Sequence, residues 1–293
     1  VADQFDVIEA GPRGRRRWIG LVVAAAVLLV PIVGLVASRE PEPRPEPLPT
    51  PEPIRSLTTI DSPSNILLIS PTTRGDDEVL EVVFPHGVRA VVRYPAELKL
   101  AGMGSRPFQG AWIDGIYRQF VAPYNGEIEI TRGGEPIRNY APNVTLWPRQ
   151  AGSGSLGQVL LFAFEDWRLA MYDRGRGLTF DQRLAVAQKL KGRQTKDGYL
   201  VLSAGGRVRL AGPGDTAQGD PVGPQLWFGG GGRDMVALVP TPQCEKKARM
   251  PFVIDGRGRP AESVCRGDVQ VAVTGQERFR KQAIQGIRIT LKD

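Results

Sequence analysis

Residues 18–38 form a run of 21 without a formal charge, WIGLVVAAAVLLVPIVGLVAS. No other stretch limits so strongly what the chain can become. As a helix the run rises about 31 Å, enough to cross a hydrocarbon core of about 30 Å. A helix satisfies its own backbone hydrogen bonds, which lipid cannot do. Trp18 belongs at the interface, where an indole is favoured. Pro31 would break a helix in water but is tolerated as a kink inside a span. Arg13, Arg15, Arg16 and Arg17 precede the run, while Arg39, Glu40, Glu42 and Arg44 follow it. The positive-inside bias predicts residues 1–17 as a cytoplasmic tail and 18–38 as a single transmembrane helix in the lipid bilayer of the plasma membrane. Everything after it is then extracytoplasmic. A cleaved secretory signal is the competing reading, with Val36-Ala37-Ser38 as its small-residue site. The apolar stretch exceeds the roughly 7–15 residues usual for such a signal, which favours an uncleaved anchor.

Residues 39–56 carry prolines at 41, 43, 45, 47, 49, 51 and 53. Each proline fixes its own φ and holds the preceding residue extended. The ladder predicts a polyproline-II stalk about 40 Å long. Beside a membrane span a spacer is favoured over a ligand for a proline-binding module.

Residues 57–293 are long enough for one large β-rich domain. Residues 1–55 balance, with seven basic against seven acidic side chains, so the formal +7 of the chain belongs to this exported part. A basic exported domain can meet a wall polymer, an acidic lipid-like ligand or another membrane protein. The compartment and the scattered placement of the charges argue against nucleic acid. Arginine outnumbers lysine 30 to 8, a bias shared with high-GC bacteria.

Cys244 and Cys265 are the only cysteines and fall in the exported part, where oxidation is permitted. They are expected to form a disulfide that stabilises by about 3 kcal/mol in the chain-entropy model.

The domain is expected to be α+β and strand-dominated, with antiparallel sheets and one or two packed helices. Short apolar runs cut by Gly, Pro, Asn and Asp predict strands at 65–70, 79–84, 88–93, 127–131, 157–164 and 167–172. Others fall at 199–203, 207–211, 234–239 and 269–273. Phe84 to Val88 (FPHGV) reads as a hairpin turn. Stretches 103–108, 150–155, 212–224 and 229–233 read as loops. Thr179 and Gln182 have capping-box spacing, with Phe180, Leu184, Ala187 and Leu190 on one apolar face and Gly192 as the stop. A second helix is expected over 277–285, leading to a strand at 287–291.

The order of a strand (WRLAMYD), a turn, a capped helix (LTFDQRLAVAQKL) and a strand (YLVLS) resembles a unit of exported bacterial domains. These are of the lipoprotein-carrier and sigma-regulator type. The resemblance covers residues 167–203 and implies a curved antiparallel sheet crossed by helices. A direct anti-sigma role would need a cytoplasmic helical domain, which seventeen residues cannot supply. As a whole the chain resembles the uncharacterised signal-anchored exported proteins of actinobacteria.

Chemistry-bearing clusters are sparse. His86 is the only histidine and sits in the expected hairpin turn, a poor place for a triad base. Asp76, Asp77 and Glu78 lack the spaced oxygens of a calcium loop. Glu165 and Asp166 read as a turn. Gly229, Gly230, Gly231 and Gly232, followed by Arg233, are a candidate anion loop, against which stands a plain hairpin connection. Arg266-Gly267-Asp268 spells an integrin tripeptide and Asn143-Val144-Thr145 a glycosylation sequon, both short enough to arise by chance. Trp112, Trp147, Trp167 and Trp227 are expected in the core more than in a binding groove. These residues favour a non-enzymatic binding or sensing domain without catalytic residues, metal or cofactor. A wall-polymer hydrolase using carboxylates and a structural component of an envelope complex are the alternatives.

Overall fold

The computed structural model describes residues 65–149, 157–232 and 234–292. The expected tail, transmembrane helix and stalk lie outside the described residues, with Arg13, Arg15, Arg16, Arg17 and Trp18, and so does Arg233. Among the described residues no helix is long and apolar enough to cross a membrane.

The chain is strand-dominated and its sheets are antiparallel. It begins with β1 (Thr72–Arg74), β2 (Asp77–Val83) and β3 (Arg89–Pro95). Next come β4 (Ser105–Ile113), β5 (Ile116–Val121), β6 (Arg138–Ala141), β7 (Val144–Trp147), β8 (Val159–Phe164) and β9 (Trp167–Tyr172). Helix α1 (Phe180–Lys189) leads to β10 (Lys191–Gln194) and β11 (Leu200–Ser203). The short β12 (Val208–Leu210), β13 (Thr216–Ala217) and β14 (Asp220–Pro221) precede β15 (Gln225–Gly229) and β16 (Met235–Pro240). Then follow β17 (Ala261–Arg266), β18 (Val269–Thr274), helix α2 (Glu277–Gly286) and β19 (Arg288–Lys292).

The large sheet runs β17-β18-β16-β15-β4-β5-β9-β8-β7-β6, with β12 on β4, and a second sheet runs β1-β2-β3-β19. The large sheet has an internal symmetry. β8–β9 and β17–β18 are hairpins with the same two-residue turn, closed by Phe164 opposite Trp167 and Arg266 opposite Val269. Each is followed by a ten-residue helix and then a strand. Each is preceded by another hairpin, β4–β5 or β15–β16. Matching β4, β5, β8 and β9 with β15, β16, β17 and β18 makes the strand order a palindrome about the β15–β4 junction. The two halves differ in their connections. Residues 122–158 supply β6 and β7, whereas residues 241–260 supply the helical turns Cys244–Lys247 and Phe252–Asp255. β10 pairs with β11, while β19 pairs with β3, so the β2–β3 hairpin completes the second half.

Both faces of the central strands are covered, which is why MVALVP and VQVAVT are buried throughout. Leu226, Phe228, Val236, Leu238, Val271 and Val273 pack with Val82, Val92 and Tyr94 of the small sheet. Residues of the opposite face, Trp227, Met235, Ala237 and Ala272, pack with Phe108 and Ile254. Val186, Ala187 and Leu190 of the α1 region join Phe162, Leu169 and Met171.

The capping box at Thr179 and Gln182 forms as expected. Each helix start is also held by an acid from outside it. Asp173 accepts from Leu178 N at 2.9 and 2.8 Å, and its buried carboxylate pairs with Arg118 and Arg183. At the start of α2, Asp234 accepts from Gln276 N at 2.9 Å.

Five expectations need correction. Residues 65–70 are not a strand and make only one isolated bridge, Leu67 to Ser105. Phe180 is exposed and does not join the buried face of Val186 and Ala187 on α1. Residues 127–131 (EIEIT) alternate as a strand would, yet Ile128–Thr131 is a helical turn. Ile130 N and Thr131 N both donate to Glu127 O, and burying Ile130 alone satisfies the packing. Stretch 103–108 is not a loop throughout, because β4 begins at Ser105 and is buried despite its Arg, Pro and Gln. Gly192 does not stop α1, which ends at Leu190 in extended backbone. It lies in β10, where a Cβ would come within 2.4 Å of the Phe164 ring.

Candidate functional site

Among the described residues, two places bring several polar side chains together beside open space or an unpartnered buried donor. The first is a cleft of ≈ 540 Å³ beside the β8–β9 turn, lined by Asn65, Leu67, Glu127, Glu165, Trp167 and Arg168 among others. Asn65 builds its floor. Its amide donates to Pro123 O at 3.0 Å and Arg168 O at 2.7 Å, and its carbonyl oxygen accepts from Arg168 N at 3.1 Å. Asn65 thereby ties the start of the described chain to β9 and the 122–126 connection. Trp167 is buried and donates from Nε1 to Gly198 O at 2.8 Å. Glu165 has φ 51°, the left-handed geometry its turn requires. Its Oε1 accepts from Gln194 N at 2.8 Å, and Glu127 Oε2 accepts from Arg168 Nε at 2.9 Å. Asp166 also lines the cleft. With three carboxylates against Arg168, the cleft suits a ligand rich in hydroxyl or amine donors.

The second place is the β15–β16 loop with the 229–232 glycine run. Gly229 and Gly230 take φ 75° and 106°, values that favour glycine. A Cβ on Gly231 would come within 2.9 Å of the Tyr124 ring. Two arginines from distant parts of the sequence end here. Arg106 of β4 is only 9% exposed, yet makes no ion pair among the described residues. Its Nη1 donates to Ala122 O at 2.8 Å, and its Nε is buried without an acceptor. Tyr124 and Trp227 flank its guanidinium at 5.3 and 6.0 Å. Burial pushes the Arg106 guanidinium below its ordinary value, opposed by Glu129 nearby. Arg257 donates to Gly230 O at 2.6 Å and Gly232 O at 3.3 Å.

Sequence reasoning singled out the glycine run and missed both arginines. Arg106 looked like part of a loop, and Arg257 lies 25 residues from Gly232.

The remaining candidates have structural roles. Cys244 and Cys265 form a disulfide with a Cα–Cα distance of 5.7 Å, fastening the turn Cys244–Lys247 to β17. His86 occupies the β2–β3 turn, where Phe84 N donates to Val88 O and Gly87 N to Phe84 O. Burial lowers its pKa, and its Nδ1 has no partner. Asp77 pairs with Arg93 across β2–β3. Arg266 donates to Ile287 O and Ile284 O at the end of α2, and Asp268 accepts from Gln243 N, so the tripeptide braces the fold. Trp147, Trp167 and Trp227 are buried, and Trp112 is covered by Arg209 at 4.0 Å. No cluster of three or more metal-ligating side chains occurs among the described residues.

Compared with protein-family models, curated proteins and solved structures, the chain finds no match.

Proposed function

We propose that the chain is a single-pass membrane protein that holds a β-rich domain outside the cytoplasm on a polyproline stalk. The domain binds a ligand without transforming it. The uncharged run, the arginines before it and the proline ladder after it support the deployment. The binding half rests on one observation, the cleft beside Trp167. Its ≈ 540 Å³ fall within the range of small-ligand sites. Glu127 and Glu165 accept hydrogen bonds from the protein's own Arg168 and Gln194, so they shape the cleft and set its charge. Such a surface favours a hydroxyl- or amine-bearing segment of a wall polymer.

The gathering of Glu127, Glu165 and Asp166 in one cleft gives a second reading, a carboxylate-dependent wall hydrolase. One experiment separates them. The detergent-solubilised full chain is incubated with purified wall polymer. Retention on the polymer without release of soluble fragments supports binding. Fragment release that disappears in both Glu165→Gln and Asp166→Asn supports hydrolysis. Neither retention nor release overturns both.

A further inference from the structure

The terminal nitrogens of Arg106 and Arg257 converge on one point. The position a Cβ of Gly230 would occupy lies 3.0 Å from Arg106 Nη2 and 3.3 Å from Arg257 Nη2. The two nitrogens are therefore no farther apart than the sum of those distances. Two guanidinium groups this close repel unless an acid or an anion lies between them. No carboxylate bridges them among the described residues. Two nearby acids, Glu129 and Asp234, accept backbone hydrogen bonds elsewhere. Glu129 acts on the Arg106 charge from a distance, while its Oε2 accepts from Asn125 N at 3.2 Å. Asp234, the acid of the loop itself, turns its Oδ1 to Gln276 N. The next charge along the chain is again positive, because Arg259 acts on Arg257.

The glycines make sense in the same terms. A side chain at Gly230 would crowd both guanidinium groups, so glycine is what lets them meet here. Gly231 lies against the Tyr124 ring, and Tyr124 in turn faces Arg106. The neighbourhood offers Arg106 Nη2 and the Nη2 of Arg257, which also donates to Gly230 O at 2.6 Å. Two adjacent guanidinium groups with no carboxylate bridging them suit the charge and the several acceptor oxygens of a phosphate.

We propose that Arg106, Arg257 and the 229–232 glycine loop bind one phosphate group. This site is distinct from the cleft beside Trp167 and does not depend on its function. Arg106 supplies a positive charge held in place by Ala122 O, Tyr124 and Trp227. Arg257 closes over the group from the disulfide-bounded 244–265 segment. The phosphate can belong to a free monoester or to the phosphodiester of a lipid headgroup.

The test is calorimetric titration of the detergent-solubilised full chain with inorganic phosphate, repeated with glycerophosphoglycerol as the diester. Saturable one-site binding is expected. Arg106→Gln and Arg257→Gln should each weaken it about tenfold or more, as loss of a charge-assisted hydrogen bond implies. Arg278→Gln, an exposed arginine paired with Glu97 on α2, should bind as the wild type does. Tighter binding of the diester assigns a headgroup source, and tighter binding of inorganic phosphate assigns a free one. If Arg106→Gln fails to fold, Arg257→Gln decides, because the half-buried Arg257 contributes no core packing. Absence of saturable binding by the folded wild type overturns the proposal, as does wild-type affinity in Arg257→Gln.

Discussion

Reduction of the Cys244–Cys265 disulfide offers the sharpest energetic prediction. The bond closes a loop with a sequence separation of 21 and holds its ends 5.7 Å apart at Cα. Loop-closure entropy for that length gives about 3 kcal/mol of stabilisation, exerted on the unfolded chain. The figure holds if the native loop keeps its place without the bond. The structure gives that reason. Ile254 is fully buried against Trp227 and Met235, and Arg257 is fastened to the glycine loop. The cost then falls on the unfolded state and not on native packing. For a domain of this size, about 3 kcal/mol lowers the melting temperature by about 6–12 °C. The assay is calorimetric melting of the full chain with and without a phosphine reductant, beside the Cys244→Ala/Cys265→Ala double variant. The reduced wild type and the double variant should melt together, well below the oxidised chain, and the double variant should ignore the reductant. Oxidised and reduced melts that agree within about 1 °C would refute the loop-entropy reasoning. A larger loss, with weakened phosphate binding, would mean that the bond positions Arg257 in the native state.

Three other outcomes follow from single side chains. Asp173→Asn strands Arg118 and Arg183 around a buried site and should cost about 3–5 kcal/mol in urea unfolding. Gly192→Ala forces a Cβ against the Phe164 ring and should cost about 1–3 kcal/mol, whereas a helix-stop role would make the same change nearly neutral. Burial lowers the His86 pKa from 6.5, so the unfolded chain binds its proton more readily than the folded one. Stability is then full above about pH 6.5 and declines as pH falls through the lowered folded value. His86→Asn should flatten the stability profile between about pH 7 and 5, and an unchanged slope in that variant would contradict the assignment.

Much of the strand content was legible because its signals are local. Runs such as MVALV and VQVAV name buried strands by composition, and Thr179 with Gln182 names a helix start by spacing. What escaped depends on distance. β4 hides behind Arg106, Pro107 and Gln109, polar or helix-breaking residues that the fold buries and only partly pairs. Gln109 Nε2 donates to Ala211 O, 102 residues away. Gly192 looked like a helix stop because the Phe164 ring that requires it is 28 positions upstream. The palindrome of strands has no sequence repeat to announce it, since VLLFAFEDWRLAMY and AESVCRGDVQVAVT share a two-residue turn and little else. The glycine run was visible, but its meaning depends on Arg106 and Arg257, which converge on it only through the fold.

The claim at the centre is that this domain stands outside the cytoplasm on an anchored stalk. Thr50→Cys places a thiol within the proline ladder, and the two native cysteines are bonded to each other, so only the new thiol can react. Intact cells expressing this variant are treated with a membrane-impermeant maleimide, then lysed and probed for unreacted thiol. Deployment outside predicts complete blocking before lysis, in the membrane fraction. A thiol that stays protected until the cells are broken would contradict it.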